Sequence, residues 1–256
     1  MVHRLIVSYD GRPFAGWQRQ PAAPTVQGAV EAALSDLLDE DTVVYGAGRT
    51  DAGVHAFGQA AHLFLRRPFP AKGLVHGANH RLCPEIRLLA AHRMPEGFHA
   101  RKCALGKRYV YRIHRGHVVP PTSTPFVHGV GQPLDLGAME RALRHLPGEH
   151  DFSAFALAGG SHGQPRRRLF SARLSEHGRE VRLTFYGQGF LRGMVRALAG
   201  TLIEVGRGSR PADDLRRLLQ PGHERCDAGV TAPAQGLCLE AVFYPPAWRP
   251  LEGYAG

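Results

Sequence analysis

The stretch GAGRTDAGVHAFGQ, residues 46–59, sets an arginine, an aspartate and a histidine among glycines. Asp51 stands two residues from Arg49. A guanidinium near a carboxylate favours the ionised form, which suits a nucleophile or a general base. Arg49 would also attract phosphate and so draw a nucleic acid towards the acid. The flanking glycines let another backbone approach closely. A simpler reading makes Asp51 the capping residue of a turn between two strands. Composition alone favours the turn and leaves the catalytic reading open. Two phosphate-loop readings fail. A Walker loop closes on Gly-Lys-Ser/Thr, and no lysine follows the last glycine here. A dinucleotide fingerprint needs a third glycine where Asp51 stands, and a carboxylate would repel the pyrophosphate.

The overall charge bears on the partner. Lys and Arg total 32 against 22 acids, a net charge of +10, and nearly all the excess is arginine. Arginine forks onto phosphate and stacks on bases, so a polyanion is one reading. An arginine-rich composition of GC-rich origin is the other, and charge alone does not separate them. The 43% apolar and 21% charged fractions are those of a folded globular chain. No apolar run reaches membrane-spanning length. The start, MVHRLIVSYD, reads as a strand and lacks the layout of a signal peptide. Four scattered cysteines, with no C-x-x-C pair, argue against a zinc ribbon or a disulfide framework and for a reduced, cytoplasmic protein. His55 and His62 lie seven apart in a strand-like segment, so alternation sends them to opposite faces and disfavours a shared metal.

Elements must position these groups. HRLIVSYD reads as a buried strand, and Thr25 opens a helix carrying Val26, Val30, Ala33, Leu34, Leu37 and Leu38 at helical spacing, ended by Asp39 and Glu40. Residues 42–65 read as a strand, a glycine-rich turn and a longer strand. A helix is expected over 71–82 and a strand over 85–91. MPEGFHARKCALGKR, broken by Pro95 and Gly97, is expected to join two halves, 1–98 and 99–256. KRYVYRIHR alternates, with Tyr109, Tyr111 and Ile113 on one face. Asp135 is placed to cap a helix carrying Leu136, Met139, Leu143 and Leu146. RRLFSARLSE, EVRLTFYGQ and LCLEAVFY are expected to form a second sheet. FLRGMVRALAGTLIEVG reads as a helix with Arg192 and Arg196 at i, i+4. YDGRPFAGW and FYGQGFLRG each follow a strand with an aromatic and Gly-x-x-Phe, which fits two similar halves. The expected class is α/β (α+β): two sheet-plus-helix halves around a central cleft.

YDGRPFAGWQRQP, TVQGAVEAAL, GAGRTDAGVHAFGQ, FHARKCALGKRYVYRI, DFSAF, GFLRGMVRALAG and TAPAQGLCLEAVFYP, in this order, resemble the tRNA pseudouridine synthase A family over nearly the whole chain. The resemblance implies the pseudouridine synthase fold and isomerisation of uridine to pseudouridine at positions 38, 39 and 40 of the tRNA anticodon stem-loop. It implies a cytoplasmic homodimer that uses no cofactor and no metal. Asp51 matches the family's catalytic carboxylate, attacking C1′ or removing a proton to give a glycal. Base flipping exposes the target. Tyr109 matches the family's site tyrosine and Arg196 its helix arginine, and Arg49 is the candidate to hold the nearby phosphate or fill the vacated space; all three are expected to bind substrate. Trp17, Gln18, Arg19, Arg166, Arg167, Arg168 and Arg192 are expected to grip RNA. Gly193 departs from the family, which commonly carries a polar residue there. A non-catalytic RNA chaperone on the same fold and a metal-dependent hydrolase are the competing readings.

Overall fold

The computed structural model describes residues 1–159 and 164–256. The chain forms two compact units, Met1–Leu105 with Leu239–Gly256, and Gly106–Cys238. The first unit opens with β1 (Val2–Tyr9), α1 (Val26–Leu38), the short β2 (Tyr45–Gly46), β3 (His55–Phe64), α2 (Ala71–Arg81) and β4 (Ile86–Arg93). The Thr25 side chain accepts from the Gly28 amide, and Asp39 closes α1 in the left-handed region at φ 51°. The second unit carries β5 (Gly106–Arg115), β6 (His128–Val130), α3 (Leu136–Leu143), β7 (Gly148–Asp151), β8 (Arg166–His177), β9 (Glu180–Gly187), α4 (Met194–Gly206) and α5 (Asp214–Leu218). The chain then returns through β10 (Leu237–Phe243) to β11 (Glu252–Ala255).

In the first unit the strand order is β11-β4-β1-β3-β10. β1 pairs antiparallel with both β3 and β4, setting Leu5 opposite Ala61 and Ala91. Alternation along β1 sends Leu5 and Val7 to one face, both fully buried, and Val2 and Ile6 to the other. α2 lies against β4, and α1 against α2. Val2 and Ile6 meet Ala60, Met94, Phe98, Ala100, Tyr244 and Trp248. The boundary between the units does fall within MPEGFHARKCALGKR, but at Leu105–Gly106 rather than at residue 98, so Phe98 and Ala100 belong to the first unit. Phe98 is 1% exposed and Ala100 fully buried, so burying two apolar side chains outweighs the breaks at Pro95 and Gly97. The division expected at residue 98 differs from the observed units in a second way: Leu239–Gly256 belongs with the first unit, so most of LCLEAVFY does too.

In the second unit the order is β5-β9-β8-β7, all antiparallel, with β6 parallel on β5. Tyr109, Tyr111 and Ile113 stand opposite Phe185, Leu183 and Val181, and all six are buried. α4 lies against β5, and α3 against α4 and β8. Asp135 caps α3, accepting from the Ala138 amide at 2.9 Å, as its position in the sequence implies. α4 begins later than its apolar run suggests. Gly193 sits at φ 68°, a left-handed turn, so Arg192 precedes the helix and does not share a face of it with Arg196.

Candidate active site

Asp51 lies on the turn between β2 and β3 and is half-buried. Its carbonyl accepts from the Val54 amide at 3.1 Å, closing the turn. The loop after β1 grips this turn from beneath. The Trp17 amide donates to the Thr50 carbonyl (3.1 Å), and the Tyr9 hydroxyl is hydrogen-bonded to Thr50 Oγ1 at 2.8 Å in a buried position. Gly16, at φ 101°, runs so close that a Cβ there would stand 2.5 Å from the Thr50 carbonyl oxygen. Only glycine permits that approach. Gln59, fully buried on β3, donates to the Gly48 carbonyl at 2.9 Å. The carboxylate thus rides on backbone fixed at residues 48, 50 and 51. Arg49 points outward and is exposed, its Nε donating to Gln18 Oε1 at 3.1 Å. The turn is closed by the Asp51 backbone carbonyl, with the residue half-buried upon it.

In the second unit Tyr109 is 6% exposed, with Phe190 edge-on at 5.0 Å between ring centres. Tyr111, two residues on, is the core tyrosine: its hydroxyl donates to the Pro233 carbonyl (2.9 Å) and lies 3.0 Å from His128 Nδ1. Burial pushes the Tyr111 hydroxyl pKa well above the usual phenol range. Arg196, half-buried in the first turn of α4, donates through Nε to the Ala232 carbonyl at 2.8 Å, and the Ala232 amide returns a bond to the Arg196 carbonyl. The segment carrying Ala232 is pressed against α4: Thr201 Oγ1 accepts from the Gly229 amide, and a Cβ on Gly200 would lie 1.7 Å from the Val230 oxygen. TAPAQG therefore serves as the clamp that orients the Arg196 side chain.

The sequence profile described as tRNA pseudouridine synthase matches residues 5–101 and 142–245, which include Asp51 and Arg196. The chain belongs to the tRNA pseudouridine synthase family. The tRNA pseudouridine synthase A of Syntrophotalea carbinolica is 44% identical, over 96% of this chain and 97% of its own length. That of Geobacter sulfurreducens is 42% identical, over 94% and 98%. That of Ligilactobacillus salivarius is 38% identical, over 94% and 95%. This synthase is an isomerase, and its family's reaction converts uridine to pseudouridine.

The residues expected to grip RNA divide on inspection. Trp17 is 1% exposed, its ring 6.0 Å from that of Tyr9, and a Cβ on Gly46 would meet its Nε1 at 2.4 Å. It is a buried support for the loop, because its bulk fills the space under β2, and it presents no face to RNA. Gln18 is half-buried and bonded to Gln27 and Arg49. Arg19 is exposed and paired with Glu31 at 2.8 Å. Arg166 and Arg168 are exposed at the start of β8, and Arg167 Nη1 donates to the Gln164 carbonyl at 2.8 Å. Arg192 is exposed and donates to the Ala158 carbonyl at 3.0 Å.

The histidines serve other ends. His62 Nδ1 accepts from the Ala100 amide, and its ring stacks on Tyr45 at 5.0 Å and lies 4.6 Å from His99. Burial and the neighbouring His99 lower its pKa from 6.5 to about 4. His55 Nδ1 accepts from the Gly11 amide at 3.2 Å. Among the described residues no three His, Cys, Asp or Glu side chains converge as a metal site, and no helix is long and apolar enough to cross a membrane. Sequence reasoning missed Tyr9, Thr50, Gln27 and Glu31. The last two had a signal, since polar residues at i, i+4 interrupt the buried stripe of α1.

Proposed function

We propose that this synthase isomerises uridines 38, 39 and 40 in the anticodon stem-loop of tRNA, as a cytoplasmic homodimer with Asp51 as the catalytic carboxylate. The observation that carries the reading is the turn at Arg49–Asp51, pinned through its backbone with Asp51 half-buried upon it. A catalytic group must hold its geometry within a fraction of an ångström, and backbone fixed at residues 48, 50 and 51 supplies that.

The target uridine leaves its stack to bring C1′ to Asp51. The N1–C1′ bond breaks while Asp51 acts on the ribose, as nucleophile at C1′ or as base. Uracil turns, C5 bonds to C1′, the C5 proton departs and N1 gains one. No atom is gained or lost, so no cosubstrate is required. Arg49 holds the adjacent phosphate or the vacated space. The Tyr109 ring packs against the target base, and Arg196 completes the substrate-binding set. Arg19, Arg166, Arg167, Arg168 and Arg192 hold the RNA through phosphate, a shape-based grip suited to several adjacent positions. The test is incubation with an unmodified tRNA transcript and mapping of pseudouridine along it. Asp51→Ala is expected to abolish turnover and retain tRNA binding. Pseudouridine formed by Asp51→Ala, or product only outside the anticodon arm, overturns the reading.

A further inference from the structure

We infer that Gln18 is a positioning residue that fixes the Arg49 guanidinium, and that its own orientation is dictated from α1 through Gln27. The inference rests on the role given above to Arg49. Gln27 is 6% exposed, and both ends of its amide meet groups that admit one orientation. Its Nε2 donates to the Val44 carbonyl at 2.9 Å and to Glu31 Oε1 at 3.0 Å. Its Oε1 accepts from the Arg19 backbone amide at 2.9 Å. A carbonyl only accepts and a backbone N–H only donates, so a flipped Gln27 amide would lose both bonds. Glu31, 5% exposed, is locked in turn by the Val44 amide at 3.0 Å and the Arg19 guanidinium at 2.8 Å.

The order propagates. Gln27 Oε1 also accepts from Gln18 Nε2 at 2.8 Å, which settles which end of the Gln18 amide faces α1. The remaining end, Gln18 Oε1, is then an obligatory acceptor, and it takes Arg49 Nε–H at 3.1 Å. An exposed arginine has many rotamers, and holding Nε confines the guanidinium to one direction before RNA arrives. Gln18 is half-buried while Arg49 is exposed, so the fixed end of the relay is the protein interior. Part of the ordering that binding would otherwise demand is already in place. Gln18, expected from sequence to touch RNA, acts instead through its neighbour.

The experiment is a double-mutant cycle on the full chain with an unmodified tRNA transcript. Gln18→Met keeps length and loses the acceptor; it is expected to lower kcat/KM about fivefold with an unchanged Tm. In an Arg49→Ala background the same change is expected to alter kcat/KM less than about twofold, because the group it positions is gone. Gln27→Met is expected to act in the same direction and to show the same loss of effect with Arg49→Ala. Hydrogen exchange at Arg49 Nε–H, followed by NMR on the free protein, should accelerate in Gln18→Met. Additive effects, or exchange unchanged by Gln18→Met, overturn the inference and leave the function proposed above intact. If Arg49→Ala leaves turnover unaltered, the role of Arg49 falls and this inference falls with it. If Asp51→Ala keeps turnover, it is the catalytic assignment that fails.

Discussion

β3 in the first unit is buried along nearly its whole length, from His55 to Leu63, with breaks only at Phe57 and Gly58. β9 in the second unit alternates strictly, with Val181, Leu183, Phe185 and Gly187 buried and Glu180, Arg182, Thr184 and Tyr186 half-buried. The first sheet is covered on both faces, by helices on one and by the aromatic segment around Phe98 and Tyr244 on the other. The second has helices on one face and, on the other, a charged surface where Arg112 and Arg182 share Glu180. A sheet buried on both sides is stiff, and stiffness suits the unit that carries the pinned turn at Asp51. The charged face of the second sheet is only half-covered along β9, so its side chains are less constrained by packing.

Substitutions can break that comparison, and the largest effect belongs to a charge placed in the doubly covered sheet. Ala60→Glu, at a fully buried position beside Met94 and Phe98, is expected to cost more than about 4 kcal/mol. Thr184→Glu, on the half-covered charged face, is expected to cost less, about 1–2 kcal/mol. Chemical denaturation of both variants decides it, and equal losses would refute the distinction. The covered face of the second unit should prove tight. Gly200→Ala must displace the Val230 carbonyl and is expected to cost about 3 kcal/mol, with a loss of activity through Arg196.

The pH dependence sharpens the comparison further. His62 is neutral when folded, its pKa of about 4 lying below the ordinary 6.5. An unfolded chain therefore takes up its proton first as pH falls, so stability is held above pH 6.5 and lost between 6.5 and 4. His62→Asn, which offers Oδ1 to the Ala100 amide, should flatten that slope in denaturation curves recorded across the window. The smallest effect is expected from Glu180→Gln on the same face as Thr184, below about 1 kcal/mol, because its arginine partners are one-third or more exposed.

Much of this was legible in the sequence because the signals were local. Thr25 and Asp135 cap the helices they precede, and both tyrosines of KRYVYRIHR face inwards as alternation requires. Asp51 and Arg49 stood out by residue type. What escaped was set by distant packing. Trp17 looked available for RNA because nothing near it in sequence shows that β2 and Tyr9 close over it. The junction was placed at residue 98 because Pro95 and Gly97 are visible locally, whereas the apolar face that holds Phe98 in the first unit is built by β1 and β3. Arg192 was read onto the helix because Gly193 gives no sign of its left-handed φ until the backbone is seen.

The return of Leu239–Gly256 to the first unit has a consequence for how the polypeptide is made. Gly106–Cys238 is continuous and can collapse as soon as it leaves the ribosome. The earlier segment must wait, with the edge of β4 bare, until β11 arrives to set Tyr254 opposite Ala91. A chain released before β11 is made would carry an interrupted unit with an unpaired ladder at β4, an invitation to clump with its neighbours. The unit that carries Asp51 is thus completed only after the continuous unit between its two segments has been made.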